Sequence, residues 1–142
     1  MIYVSGIKSK KIPDIWSLCK KYVEMGNSKS KEEMNIDDIY ERLINAEMQL
    51  WVVFDEDDDI KSVVTTEVIN YPRKRTCRIV TLGGRGLDNW VDEVLDVLEG
   101  WAIENDCVAM ETACRKGFIK KLEKYGYEHA YIILGKELTT LH

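Results

Sequence analysis

No apolar stretch of this chain approaches the roughly 20 residues that a membrane-spanning helix requires. The N-terminal MIYVSGIKSKK places its basic residues after its apolar ones, the reverse of a secretory leader, so the sequence predicts a protein that stays in the cytoplasm. Positive charge is also in deficit. Twenty Lys and Arg face 25 Asp and Glu, a net charge of -5, which disfavours nucleic acid as a partner because loose binding to it depends on neutralising phosphates. Metal motifs are missing. Cys19, Cys77, Cys107 and Cys114 fit neither zinc spacing nor a CxxC redox pair, and read as ordinary thiols of a reducing compartment. The acidic run DEDDD at 55–59 lacks the ligand pattern and bend glycine of an EF-hand and reads as a hairpin loop. Of two histidines, His129 is lone and His142 is the last residue. There is no repeat and no low-complexity tract.

What remains is a chain of 142 residues, 45% apolar and 32% charged, sized for a single domain spanning 1–142. Pro13 opens a helix-like pattern with Ile15, Leu18, Cys19 and Tyr22 on one face and Gly26 as its stop. The polar NSKSKEEM reads as a loop. Asn35 can cap a second helix that buries Ile36, Ile39, Tyr40 and Leu43. QLWVVF (49–54) and IKSVVTTEVI (60–69) predict a hairpin around the acidic turn, and CRIVTL (77–82) a third strand. A long helix is expected over 88–104, capped by Asp88 or Asn89. A strand follows at 107–112, a short helix at 117–125 and a closing strand at 127–134. This order predicts an α/β fold with a mixed sheet and helices on both faces. Two basic clusters, KSKK at 8–11 and PRKR at 72–75, read as solvated surface.

The junction TLGGRGLDNW (81–90) carries the functional question. Gly83, Gly84 and Gly86 stand between a strand and the longest helix, with Arg85 among them. Glycine permits positive φ and bares backbone N–H groups. A helix start offers further unpaired N–H groups and a dipole that favours anions. The junction is therefore either a tight turn or a cradle for a phosphate. It is not a Walker A motif, because no Lys-Ser/Thr pair follows, and it is not GxGxxG.

The arrangement CRIVTLGGRGLDNW, CVAMETAC and GFIKKLEKYGYEHAYIILGKEL resembles the GNAT family of N-acetyltransferases over nearly the whole chain, most sharply from 77 to 134. More narrowly it is similar to small bacteriophage-encoded members, in which a tryptophan-bearing helix follows a GG turn, as Trp90 and Trp101 do here. The resemblance implies a central, mostly antiparallel mixed sheet with a splay between two strands. It also implies acetyl-CoA, or another acyl-CoA, held by Val80, Leu82, Gly83, Gly84, Arg85, Gly86 and Arg115. The implied reaction is direct attack on the thioester by the amine of a small molecule or protein. A binding protein on the same fold, without transferase activity, is the alternative. Two departures bear on this choice. Leu122 stands where many members have the tyrosine that protonates the leaving thiolate, and Arg115 stands at the usual asparagine.

The attacking amine must lose a proton. Glu67, inside the otherwise apolar VVTTEVI, and Glu111, in CVAMET, are the candidate bases, although either can equally point to solvent because a strand alternates its faces. Tyr125 and Tyr127 are the candidate proton donors; Tyr127 is the stronger one, because Tyr125 falls on the apolar side of its helix. A C-terminal edge strand could pair across a homodimer.

Overall fold

The computed structural model describes residues 1–27, 33–114 and 116–139. Its strands are β1 (Ile2–Ile7), β2 (Gln49–Asp55), β3 (Ile60–Asn70), β4 (Arg75–Gly84) and β5 (Ala109–Thr112). They lie in one sheet in the order β1-β2-β3-β4-β5. The first four are antiparallel neighbours, and β5 joins β4 in parallel. The helices are α1 (Ile12–Asn27), α2 (Ile36–Ile44), α3 (Val91–Glu104) and α4 (Lys116–Glu123). The fold class is the expected one, with helices on both faces of a mixed sheet.

The hydrophobic stripes explain the layering. Cys19 and Val23 of α1 and Ile39 and Leu43 of α2 are buried against Leu50, Val52 and Val63 on one face. Val94, Leu95 and Leu98 of α3 are buried against Trp51, Val53, Val64 and Ile79 on the other. Each strand thus alternates its side chains between two covered faces. Asn35 caps α2 as expected: its Oδ1 accepts from the Asp38 N–H at 2.9 Å, and Asp38 Oδ2 accepts from the Asn35 N–H at 3.0 Å. Such a reciprocal cap contributes about 1 kcal/mol.

Three expectations need correction. The sequence reading gave no strand at 2–7, yet IYVSGI forms β1 and pairs with β2 from Ile2↔Asp55 to Ile7↔Leu50. Its partner is more than forty residues away in the chain, so no local hairpin signal marks it. The long helix does not begin at Asp88 or Asn89. A single 3-10 turn, Leu87–Asn89, comes first, and Trp90 is the N-cap of α3. Trp90 is buried and its Nε1–H donates to the Arg85 carbonyl at 2.7 Å, so packing of the indole decides where the helix starts. Finally, 127–134 is not a strand. Residues 128–139 make no ladder, and Tyr131, Ile132, Ile133, Leu134 and Leu138 are exposed. Their apolar, β-branched run supplies propensity, but a strand also needs an aligned neighbour. The polar loop expected at 27–34 lies mostly outside the described residues.

Candidate functional site

The β3/β4 ladder carries a bulge. Thr65 faces Thr81 and Thr66 faces Ile79, which leaves Val80 without an opposite residue. The extra residue turns Val80 toward the α1 side, whereas Leu82 packs on the α3 side. On the other flank of β4, the pairing with β5 runs only from Thr76↔Ala109 to Ile79↔Thr112. Thr112 Oγ1 donates to the Ile79 carbonyl at 3.0 Å and fastens this last rung. Beyond it the two strands part, so the β5-facing backbone of Val80–Gly84 has no strand partner. Bulges recur beside active sites because they re-aim backbone and side chains.

The glycine turn lies at the open end of this gap, and its three glycines do different work. A Cβ on Gly83 would stand 1.9 Å from the Tyr22 carbonyl oxygen, so glycine there lets α1 approach β4. Gly84 has φ +155° and lies against Lys61 and Ser62 of β3. Only Gly86, at φ +65°, shapes the loop itself. The Arg85 N–H is spent on the Lys61 carbonyl at 3.2 Å. The N–H groups of Gly86, Leu87 and Asp88 find no acceptor among the described residues, nor do those of Val91, Asp92 and Glu93 at the start of α3. The junction is therefore tight packing at 83 and 84 and an array of free donors at 86–88 and 91–93, with the Asn89 and Trp90 N–H groups between them spent on the Gly86 and Leu87 carbonyls.

Charge around those donors is mixed. Arg85 is exposed, but Asp88, Asp92 and Glu93 occupy the same stretch. Helix α4 and the turn after it meet two of these acids. Lys121 Nζ lies 3.5 Å from Asp88 Oδ1, and the Asp92 carboxylate beside the Tyr125 hydroxyl raises the pKa of the phenol.

At the closed end of the gap, Glu67, Arg78 and Glu111 form one row across three adjacent strands, since Glu67↔Arg78 and Arg78↔Glu111 are register partners. Arg78 Nη1 is 3.7 Å from Glu67, and its Nη2 is 3.4 Å from Glu111. Arg42 of α2 reaches Glu67 at 3.5 Å. The Tyr71 hydroxyl donates to Glu111 Oε1 at 2.6 Å, and this bond raises the pKa of the phenol. Both carboxylates are mostly buried and engaged, next to the rung where the splay begins.

The structure thus brings Glu67, Glu111, Val80 and Leu82 to the splay and its surroundings, and places Arg85 and Gly86 at its mouth. Tyr127 stands elsewhere. Its hydroxyl donates to Glu99 of α3 at 3.0 Å, and burial first, then the Glu99 charge, pushes its pKa far above the ordinary phenol value. Leu122 packs in the α3-side core. Arg115 and His142 lie outside the described residues. Sequence reasoning missed Arg78, Tyr71 and Lys121. Arg78 alternates with Cys77 and Ile79 in CRIV, and that alternation alone marks it as facing the other side of the sheet.

No group of three or more His, Cys, Asp or Glu among the described residues is arranged to hold a metal ion. No helix among them is long and apolar enough to cross a membrane.

No protein-family model and no curated relative matches the chain. Solved structures do. A predicted acetyltransferase with acetyl-CoA from Clostridium acetobutylicum aligns with a TM-score of 0.66 at 18% identity, over 95% of this chain and 96% of that one. A GNAT family acetyltransferase of Staphylococcus aureus aligns with a TM-score of 0.63 at 15% identity, over 96% and 98%. Glucosamine-6-phosphate N-acetyltransferase from Arabidopsis thaliana aligns with a TM-score of 0.65 at 13% identity, over 98% and 99%. At these identities the likeness concerns the fold.

Proposed function

Taking the fold of the GNAT acetyltransferases as the premise, we propose that residues 1–142 are one acyl-CoA-dependent N-acyltransferase domain, which moves an acetyl group from acetyl-CoA to a primary amine. The observation that carries this reading is the gap between β4 and β5, beginning at Ile79/Thr112 beside the Val80 bulge and opening at a loop of unpaired N–H groups.

The residues present fit the cofactor in kind. The N–H groups of Gly86, Leu87, Asp88 and Val91–Glu93 suit a diphosphate, with Arg85 as the adjacent cation. The backbone of Val80–Gly84 offers a strand edge to an extended pantetheine arm. Bound acetyl-CoA would supply an activated carbonyl and a thiolate leaving group.

The chain's own part is proton handling and oxyanion support. Backbone donors at the bulge, Val80–Leu82, are suited to stabilising a developing oxyanion. Glu67 or Glu111 accepts the ammonium proton, directly or through water, before the amine attacks. The C–N bond forms, the attacking nitrogen gives its second proton to water, the C–S bond breaks, and the thiolate takes its proton from solvent, because Leu122 and the Glu99-bound Tyr127 offer none. Thiol release from acetyl-CoA, followed with a chromogenic disulfide across a panel of amines, tests the reading. Release above the hydrolysis background supports it, and none with any amine tells against it.

A second reading is favoured by the same side chains. Both candidate bases are tied to Arg78, and no tyrosine replaces Leu122, as expected of a GNAT-fold binding protein without transferase activity. Acetyl-CoA binding without thiol release distinguishes it. A bacteriophage source, with action in the host cytoplasm, belongs to this account through the tryptophan-bearing helix behind the GG turn. A homodimer belongs to it through residues 128–139, whose bare backbone and Ile132, Ile133 and Leu134 would take a second copy.

A further inference from the structure

The two basic clusters, far apart in sequence, meet at one cleft. β1 ends at Ile7 and β2 begins at Gln49, opposite Thr66, whereas β3 runs on through Glu67–Asn70. The missing corner of the sheet leaves an open cleft of about 780 Å³, the size of a small-molecule site. Its charged lining is Lys8 and Lys10 from KSKK, Arg75 from PRKR, and the carboxylates Glu47 and Glu67. Lys8 and Lys10 make no ion pair among the described residues. Arg75 is pinned: its Nε donates to the Asn105 carbonyl at 2.7 Å and its Nη1 to Asn70 Oδ1 at 3.0 Å, which leaves Nη2 free among the described residues. Glu67 is already offset by Arg42 and Arg78, so Lys8, Lys10 and Arg75 face only the exposed carboxylate of Glu47, and the balance of the cleft stays positive with Glu67 at one side.

Resting on the acyltransferase reading, we propose that this cleft takes the acceptor, and that the acceptor is a small primary amine that also carries an anionic group. The amine lies at Glu67 and the anion at Lys8, Lys10 and Arg75. Pinning readies Arg75 for an anion, since little side-chain freedom is then lost on binding. The exposed lysines add attraction that salt screens. A neutral amine would leave these cations unused, and a polyamine would be repelled by them.

Direct binding, measured by calorimetry without cofactor, provides the test. The probes are phosphoethanolamine and β-alanine as phosphate and carboxylate anions, ethanolamine as the neutral amine and spermidine as the polycation. One or both anionic amines should bind at least about tenfold tighter than ethanolamine at low ionic strength, and the margin should shrink with added salt. The double variant Lys8→Glu/Lys10→Glu should lose most of that margin, and Lys124→Glu, exposed in the turn after α4, should keep it. Equal binding of neutral and anionic amines, tighter binding of spermidine, or an unchanged margin in the double variant overturns the proposal. Calorimetry with acetyl-CoA on the same samples separates the two readings. Acetyl-CoA binding without anionic-amine preference sinks only the cleft, and the converse sinks only the transferase.

Discussion

Gly83 and Gly100 show how little a residue type says without its surroundings. A Cβ at Gly83 meets the Tyr22 carbonyl at 1.9 Å, while at Gly100, on α3, it meets nothing within 4 Å. Gly83→Ala should therefore lower stability by about 1–3 kcal/mol, since overpacking here must move backbone. Gly100→Ala should raise it by about 0.5–1 kcal/mol through helix propensity. Thermal melts of the two variants should shift in opposite directions. The cysteines make a second contrast. Burial pushes the Cys19 thiol up to about 11 and Cys77 up to about 12, from an ordinary 9.0. A raised folded pKa favours the protonated thiol, so the associated stability is intact below pH 9 and drains away as pH rises from about 9 to 12. At neutral pH only the exposed Cys114 should react with a thiol reagent in the native state, and a stoichiometry of one rising to four on unfolding is the expected result.

Among the elements, the start of α3 decides whether the site can hold a diphosphate. Its free N–H groups attract an anion and its first-turn acids repel one. Removing one charge should tip this balance, so Glu93→Gln should tighten CoA binding about threefold at low salt, and Arg85→Ala should weaken it by a similar factor. Calorimetry at two ionic strengths would show it, and no response to either variant would place the diphosphate elsewhere. Much of this element was legible in the sequence. The apolar steps Val91, Val94, Leu98 and Trp101 gave the helix, and TLGGRG located the junction. The N-cap was not legible, because it follows from how Trp90 packs. Nor was the split among the glycines, which depends on where α1 passes. The row Glu67–Arg78–Glu111 was half legible: unusual carboxylates in apolar strands drew notice, but the arginine between them emerges only from strand register.

At the scale of the molecule, the sheet order joins what the chain separates. β1 pairs with a strand more than forty residues away, and KSKK and PRKR reach one cleft because β3 overhangs β2. Such non-local pairings leave little trace in a single sequence, which is why β1 was missed and why the basic clusters read as plain surface. The C-terminal run shows the converse error, since strong strand propensity at 131–134 did not secure a place in the sheet. Backbone amides of 128–139 lack ladder partners, so they should exchange with deuterium within seconds, while those of β3, paired on both sides over much of its length, should be protected longest. Protection of the tail at low protein concentration would mean that it pairs within its own chain, and protection that grows with concentration would mean that it pairs with a second copy.

Acyl-CoA binding by this fold depends on the gap between β4 and β5 and the donors at its mouth. The most direct measurement is an amide-resolved NMR titration with acetyl-CoA. Saturable shifts concentrated at Val80–Leu82, Gly86–Asp88 and Val91–Glu93 are the predicted result. A spectrum that stays unchanged at millimolar ligand, or shifts confined to the opposite edge of the sheet, would contradict it.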